Sequence, residues 1–157
     1  ARRGVACMNR IALLVLLALG ACAPAPPLPP GARPDLAREW LGPGGYRWPP
    51  DNGFAERATF IVLPEGMLLD RFGAETGRFF SPRGAAFRAR ALPGICAALP
   101  YHAYRVTAPL LARVGPAAPW FDEPGGATQV MTDATAAQLL AHGTLVAVSG
   151  ADAPCPR

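Results

Sequence analysis

With 157 residues, 15 basic side chains, all of them arginine, and 11 acidic ones, the chain carries a formal charge of +4 and is 51% apolar. That length suits one domain with a single main core. Arg2, Arg3 and Arg10 lie in an N-terminal segment that reads as a leader; without them twelve arginines face eleven acids, a net charge of +1 that excludes a broad basic footprint for nucleic acid.

In that leader, Arg10 precedes the apolar run at 11–19, and Leu19-Gly20-Ala21-Cys22 follows. Nine apolar residues fall short of the about 20 that a membrane-spanning helix needs, so the run reads as the core of an export signal. The small residues before Cys22 are similar to a bacterial lipobox, in which the cysteine takes the lipid and becomes the first mature residue. The other reading is an ordinary signal peptide with a coincidental cysteine. Residues 1–7 precede Met8, the plausible initiator, and carry no inference. The expected organisation is upstream residues and signal peptide over 1–21, lipidated Cys22 and a proline-rich tether over 22–45, one catalytic domain over 46–150, and a tail over 151–157. The corresponding localisation is exported and lipid-anchored in the cell envelope, facing the periplasm or the surface.

Past Cys22 only Cys96 and Cys155 remain, and an exported protein meets an oxidising compartment. A bridge between them would close a loop of about 60 residues, which the chain-entropy model values at about 4 kcal/mol; the alternative is two unrelated cysteines. No Cys-x-x-Cys is present and neither His102 nor His142 lies beside a cysteine, so no metal site is expected. The stretch from 23 begins APAPPLPPGARP, with no periodic apolar face, and reads as a semi-extended tether with a helical turn or two at 35–41.

From 58 onward short apolar runs alternate with turn residues. Strands are expected at 58–64, 67–72, 78–81, 86–92, 101–111, 128–131 and 144–149. Alternation is clearest at 101–106, where Tyr101, Ala103 and Arg105 oppose His102, Tyr104 and Val106. One helix is signalled: Thr132 or Asp133 as cap, Ala136, Leu139 and Leu140 as apolar stripe, and Gly143 as terminator. The expected fold class is α+β, a single compact domain of mostly antiparallel strands in two small sheets with few helices.

The segment 115–129, GPAAPWFDEPGGATQ, concentrates three prolines, three glycines, Trp120 and Phe121 ahead of the neutral amide of Gln129, the composition of a built site. Upstream stand WPPDNGF from Trp48, LDRFG from Leu69, GRFFSP from Gly77, RALP from Arg90 and YHAYRV from Tyr101. In that order and spacing these blocks resemble the TNT domain, the tuberculosis necrotizing toxin family of NAD glycohydrolases, over about 46–148.

The resemblance implies cleavage of the nicotinamide-ribose bond of NAD or NADP to give ADP-ribose and nicotinamide, with NAD as substrate and no cofactor. It also implies an immunity protein as a further partner, and the leader adds a membrane contact through its lipid; no nucleic acid is expected. The leaving group is already a cationic pyridinium and departs neutral, so a strong general acid is unnecessary; pyrophosphate binding, ribose orientation and one water are what the protein must supply. The planar fork of Arg71 suits a pyrophosphate, though as a sequence feature it equally suits an ion pair with Asp70. By the resemblance, Gln129 and Arg71 are catalytic and His102 joins them; Phe79 or Phe80 and Trp120 offer ring faces to nicotinamide or adenine, so Phe79, Trp120 and Gly126 are expected to bind substrate beside Arg71. His102 is also the kind of lone strand histidine that is commonly structural. Three departures stand against the family pattern: Ala127 replaces the third glycine of Gly-Gly-Gly-Thr-Gln, Phe79 stands where some members have tyrosine, and WPPDNGF carries Trp48 for tyrosine and reverses Asp51-Asn52. That last block reads as a structural turn without chemistry. The alternatives are an ADP-ribosyltransferase, although no Glu-x-Glu or Gln-x-Glu pair is present, and a catalytically degenerate NAD-binding envelope lipoprotein.

Overall fold

The computed structural model describes residues 27–156; the signal peptide, Cys22 and the first residues of the tether lie outside them. A two-stranded ribbon, β1 (Leu41–Gly42) with β2 (Gly45–Tyr46), precedes the strands β3 (Thr59–Leu63), β4 (Leu68–Phe72), β5 (Phe79–Pro82), β6 (Tyr101–Val106), β7 (Leu110–Pro116), β8 (Thr128–Met131) and β9 (Leu145–Ala147). These seven form one antiparallel sheet in the order β3-β7-β8-β5-β4-β6-β9. The expected class holds: two antiparallel sheets and few helices.

β5 is the corner of the larger sheet. Its first half, Phe79 and Phe80, pairs with Met131 and Val130 of β8, and its second half, Ser81 and Pro82, pairs with Asp70 and Leu69 of β4. One strand thus belongs to both halves, and their inner faces close over a shared core of Leu63, Leu69, Phe80, Tyr104, Val106, Ala112, Val130, Ala136, Leu139 and Leu145. Burying each Leu, Val or Phe side chain there contributes roughly 1.5–3 kcal/mol.

The single helix, α1 (Ala136–Ala141), puts Ala136 and Leu139 into that core. Its cap is Thr135, not Thr132 or Asp133. The Thr135 hydroxyl accepts from the Gln138 N–H while the Gln138 side chain accepts from the Thr135 N–H, a reciprocal capping box. Thr132 is engaged elsewhere, its hydroxyl donating to the Ala134 carbonyl. Gly143, at φ +71, ends the helix as expected.

Three expectations change. The strand expected at 86–92 is a 3-10 turn, Arg88–Arg90, followed by Ala91 in the left-handed region at φ 51. The reason is tertiary: Arg90 is drawn inward, its guanidinium 2.6 Å from the buried Asp70 carboxylate. The single strand expected at 101–111 is two, β6 and β7, which lie in different halves of the sheet, so Thr107 to Pro109 carries the chain across. The described part of the proline-rich stretch is docked on the domain. Leu28, Leu36, Trp40 and Leu41 pack with Phe121 in a second core, and Arg33 pairs with the buried Glu123, which also accepts from Arg88 at 2.8 Å. The helical turn in that stretch is a short 3-10 turn, Arg38–Trp40.

Cys96 and Cys155 are joined in a disulfide with Cα atoms 5.6 Å apart. It ties the C-terminal tail to a third cluster, built on Phe72 and Phe87 with Leu92, Leu99 and Tyr101.

Candidate active site

Beside the β4-β5 corner lies a cleft of about 510 Å³, within the range of small-molecule sites. Arg71 and Phe79 line it from β4 and β5, Gln129 from β8, and Trp48, Asn52 and Gly53 from the turn ahead of β3; Arg90 and Leu92 close another side. The WPPDNGF block, read from sequence as a turn without chemistry, is a wall of this cleft.

Arg71 is 8% exposed and makes no ion pair among the described residues. Its Nη1 donates to the Phe79 carbonyl at 3.3 Å, its guanidinium stands 5.8 Å from the centre of the Phe80 ring, and its Nε has no partner. The pairing with Asp70 that sequence allowed does not form. Neighbours on a strand face opposite ways, and the Asp70 carboxylate is taken by Arg90 at 2.6 Å, the Gly84 N–H at 2.9 Å and the Tyr101 hydroxyl at 2.9 Å. Burial pulls the Arg71 guanidinium below its ordinary pKa, with Tyr104 and Glu75 acting against that pull. A buried guanidinium with spare N–H donors has the chemistry to receive an anion. Gly77 makes room for it, since a Cβ there would overlap the guanidinium.

Gln129 is oriented by the chain opposite. Its Nε2 donates to the Asn52 carbonyl at 2.9 Å, which leaves Oε1 as an acceptor. Asn52 presents that carbonyl because Asp51, Asn52 and Gly53 all hold positive φ (52, 57 and 79), a run that Asp, Asn and Gly tolerate best. The sequence signal was present in Asp-Asn-Gly, and its meaning for Gln129 was not.

Phe79 stands at the cleft, 38% exposed, with its ring available to a ligand. His102, Trp120 and Gly126 do not line it. His102 pairs in register with Arg71 one strand away; its Nδ1 is 3.6 Å from the Glu75 carboxylate and its ring stacks on Tyr104. Trp120 packs on Trp40 at 5.0 Å and donates its Nε1–H to the Arg47 carbonyl at 2.7 Å, so it joins the N-terminal segment to the domain. The Gly126 N–H donates to the Ala117 carbonyl at 2.8 Å and is not free for substrate. Two glycines of this loop are constrained: at Gly125, φ +66, a Cβ would come within 2.6 Å of the Ala117 to Pro119 backbone, and Gly126, at φ +89, also holds the left-handed region. Ala127 lies outside the left-handed region, so its methyl group imposes no strain.

Arg90 also borders the cleft, and sequence assigned it no role. Paired with Asp70, donating to the Ala85 carbonyl at 3.0 and 2.8 Å, and 5.2 Å from the Phe72 ring, it is neutralised and held as wall. Among the described residues no carboxylate lines the cleft and no cluster of ligating side chains could hold a metal.

Fold and cleft together define a small antiparallel α+β domain in which a buried arginine outside any ion pair among the described residues, flat apolar walls and an oriented amide share one cleft. The chain belongs to the tuberculosis necrotizing toxin family, whose model matches residues 62–148. It is 41% identical, over 115 residues, to the conidial surface nicotinamide adenine dinucleotide glycohydrolase nadA of Aspergillus fumigatus, a match that covers 65% of this chain and 49% of that protein. Among solved structures it is similar to tuberculosis necrotizing toxin complexed with its immunity factor IFT, with a TM-score of 0.55 and 28% identity over 68% of this chain and 65% of that one. The chain therefore spans about half the length of the curated relative it matches.

Proposed function

We propose that the chain is an NAD glycohydrolase that cleaves the nicotinamide-ribose bond of NAD or NADP. The observation that carries this reading is the buried, unpaired Arg71 sharing a carboxylate-free cleft with the oriented amide of Gln129. It is supported by the 41% identity to a nicotinamide adenine dinucleotide glycohydrolase. Arg71 receives the pyrophosphate through its spare N–H groups, and Phe79 and Trp48 offer rings to the flat bases. Gln129 Oε1 accepts from a hydroxyl of the nicotinamide ribose or from the attacking water, without changing its own charge. The glycosidic C–N bond breaks with its electron pair going to nicotinamide, which leaves neutral. Water then adds hydroxide to the anomeric carbon and its second proton passes to solvent. Among the described residues no carboxylate lines the cleft to activate a protein acceptor, which favours hydrolysis over ADP-ribosyl transfer.

Lipid attachment at Cys22 and an envelope location follow from the leader, and an immunity protein as partner follows from the toxin structure solved with its immunity factor. Hydrolysis of etheno-NAD by the purified chain, beside Arg71→Ala and Gln129→Ala, tests the activity. Turnover lost in both folded variants supports it. A folded wild type that binds NAD without turning it over refutes it.

A further inference from the structure

Arg71 is enclosed by the turn that joins β4 to β5. A Cβ at Gly73 would come within 3.7 Å of its guanidinium, and one at Gly77 would overlap it. Between these two glycines stands Glu75, and a buried arginine is ordinarily paired with such a carboxylate. Here no Arg71–Glu75 ion pair forms. Glu75 Oε1 instead accepts from the Tyr104 hydroxyl at 3.0 Å and stands 3.6 Å from His102 Nδ1, and Glu75 does not line the cleft. The register puts all three candidate partners within reach of one carboxylate: Arg71 pairs with His102 across β4 and β6, and Tyr104, two residues on, shares that face. The backbone of the turn is anchored, with the Glu75 and Gly77 carbonyls accepting from the Ala137 and Ala136 N–H groups at 2.9 Å each. Rotation of the Glu75 side chain therefore decides which partner it meets. Tyr104 is buried, and its phenol is raised by that burial and then by the bond to Glu75, so it remains a donor.

We propose that Tyr104 is a positioning residue of the pyrophosphate subsite: its hydroxyl holds the Glu75 carboxylate off Arg71, whose spare N–H donors thereby stay open to substrate, an inference that rests on the pyrophosphate placement of the proposed function. Without that hydroxyl, Glu75 turns onto the guanidinium, and an internal carboxylate takes the place that the substrate phosphates need. Closed and open forms then share the population, and apparent affinity falls by the fraction that is open. Neither Tyr104 nor Glu75 lines the cleft, so the step that follows binding is untouched.

Two probes test this on the purified chain: etheno-NAD in steady-state turnover, and ADP-ribose, the product that keeps the pyrophosphate, in calorimetric titration. Tyr104→Phe keeps the ring in the core and raises both the KM for etheno-NAD and the Kd for ADP-ribose about tenfold, as a site open about one tenth of the time requires, with kcat little changed. Adding Glu75→Gln to Tyr104→Phe restores both constants, because an amide carries no charge to compete for Arg71. Glu75→Gln alone leaves them near wild type. A merely structural Tyr104 would lower the denaturation midpoint and give no such rescue. Constants unmoved by Tyr104→Phe, or raised and not restored by the double variant, overturn the proposal while Arg71→Ala still weakens ADP-ribose. An ADP-ribose Kd indifferent to Arg71→Ala overturns the pyrophosphate placement as well.

Discussion

Gly77→Ala is the sharpest test of the cleft, because it alters no polar group and leaves Arg71 in place chemically. Gly77 is outside the left-handed region, its N–H donates to the Ala74 carbonyl at 3.1 Å, and its carbonyl accepts from Ala136 at 2.9 Å, all compatible with alanine. The added Cβ, however, would stand 2.6 Å from the Arg71 Cζ and closer still to both terminal nitrogens. Ordinary contact begins near 3.4 Å, so the guanidinium must retreat by about 0.8 Å or more. Misplacement by about 1 Å can cost roughly 100-fold in rate when the group orients substrate. The expected result is kcat/KM for etheno-NAD reduced about 100-fold, with an unfolding free energy lower by about 1–3 kcal/mol, the usual cost of overpacking. Nicotinamide release and denaturant unfolding measure the two quantities on one preparation. Activity within twofold of wild type, in a protein whose Arg71 has moved, would refute the placement of substrate on Arg71.

Gln129→Ala removes the oriented acceptor and is expected to lower kcat by about 10²–10³-fold, the usual loss for one preorganised polar group at a reacting centre, with KM little changed; a pure KM effect would make Gln129 a binding residue only. Reduction of Cys96–Cys155, or Cys96→Ser, is expected to lower the unfolding free energy by about 4 kcal/mol, given the 59-residue separation; an unmoved denaturation midpoint contradicts this. Tyr101, pushed up to about 12 by burial and then by its hydrogen bond to Asp70, stays neutral in the fold where an unfolded tyrosine at about 10 would ionise. Its contribution is intact below about pH 10 and is lost as pH rises through about 12, so the melting temperature falls over that window. Tyr104, raised by burial and by its bond to Glu75, adds to the fall. Tyr101→Phe should flatten the decline in part, and an equally steep decline would exclude Tyr101 as a source.

What the sequence made legible was whatever is decided locally. Most strands of the larger sheet show as short apolar runs between turn residues, and Gly143 ends the helix by its own conformation. The helix start was legible too, because Gln138 stands three residues after Thr135 and makes a capping box that neither Thr132 nor Asp133 can match. The stretch at 86–92 misleads because Phe87, Ala89 and Ala91 alternate with Arg88 and Arg90 as a strand would, whereas Asp70, 20 residues earlier, decides where Arg90 goes. The docking of the N-terminal stretch is likewise remote from its own composition: Arg33 meets Glu123, 90 residues away. Arg71, Phe79 and Gln129 come together in one cleft, while the turn that fixes the Gln129 amide looked like punctuation because its contribution is a backbone carbonyl.

The cleft's charge depends on an arrangement that no single residue specifies. Asp70 and Arg71 are consecutive on β4 and face opposite ways, so the carboxylate nearest Arg71 along the chain cannot neutralise it. Asp70 instead cancels Arg90, the other arginine at the cleft wall, and is itself fixed by Tyr101 and the Gly84 N–H. One arginine is thereby paired within the fold, and the other, Arg71, is the one that the proposed function puts on the pyrophosphate. Exchanging the two residues in sequence would keep composition and net charge and still abolish the site, because the buried cation would then face Tyr101 and Arg90. The order Asp-Arg in this chain thus has a physical reason on this fold.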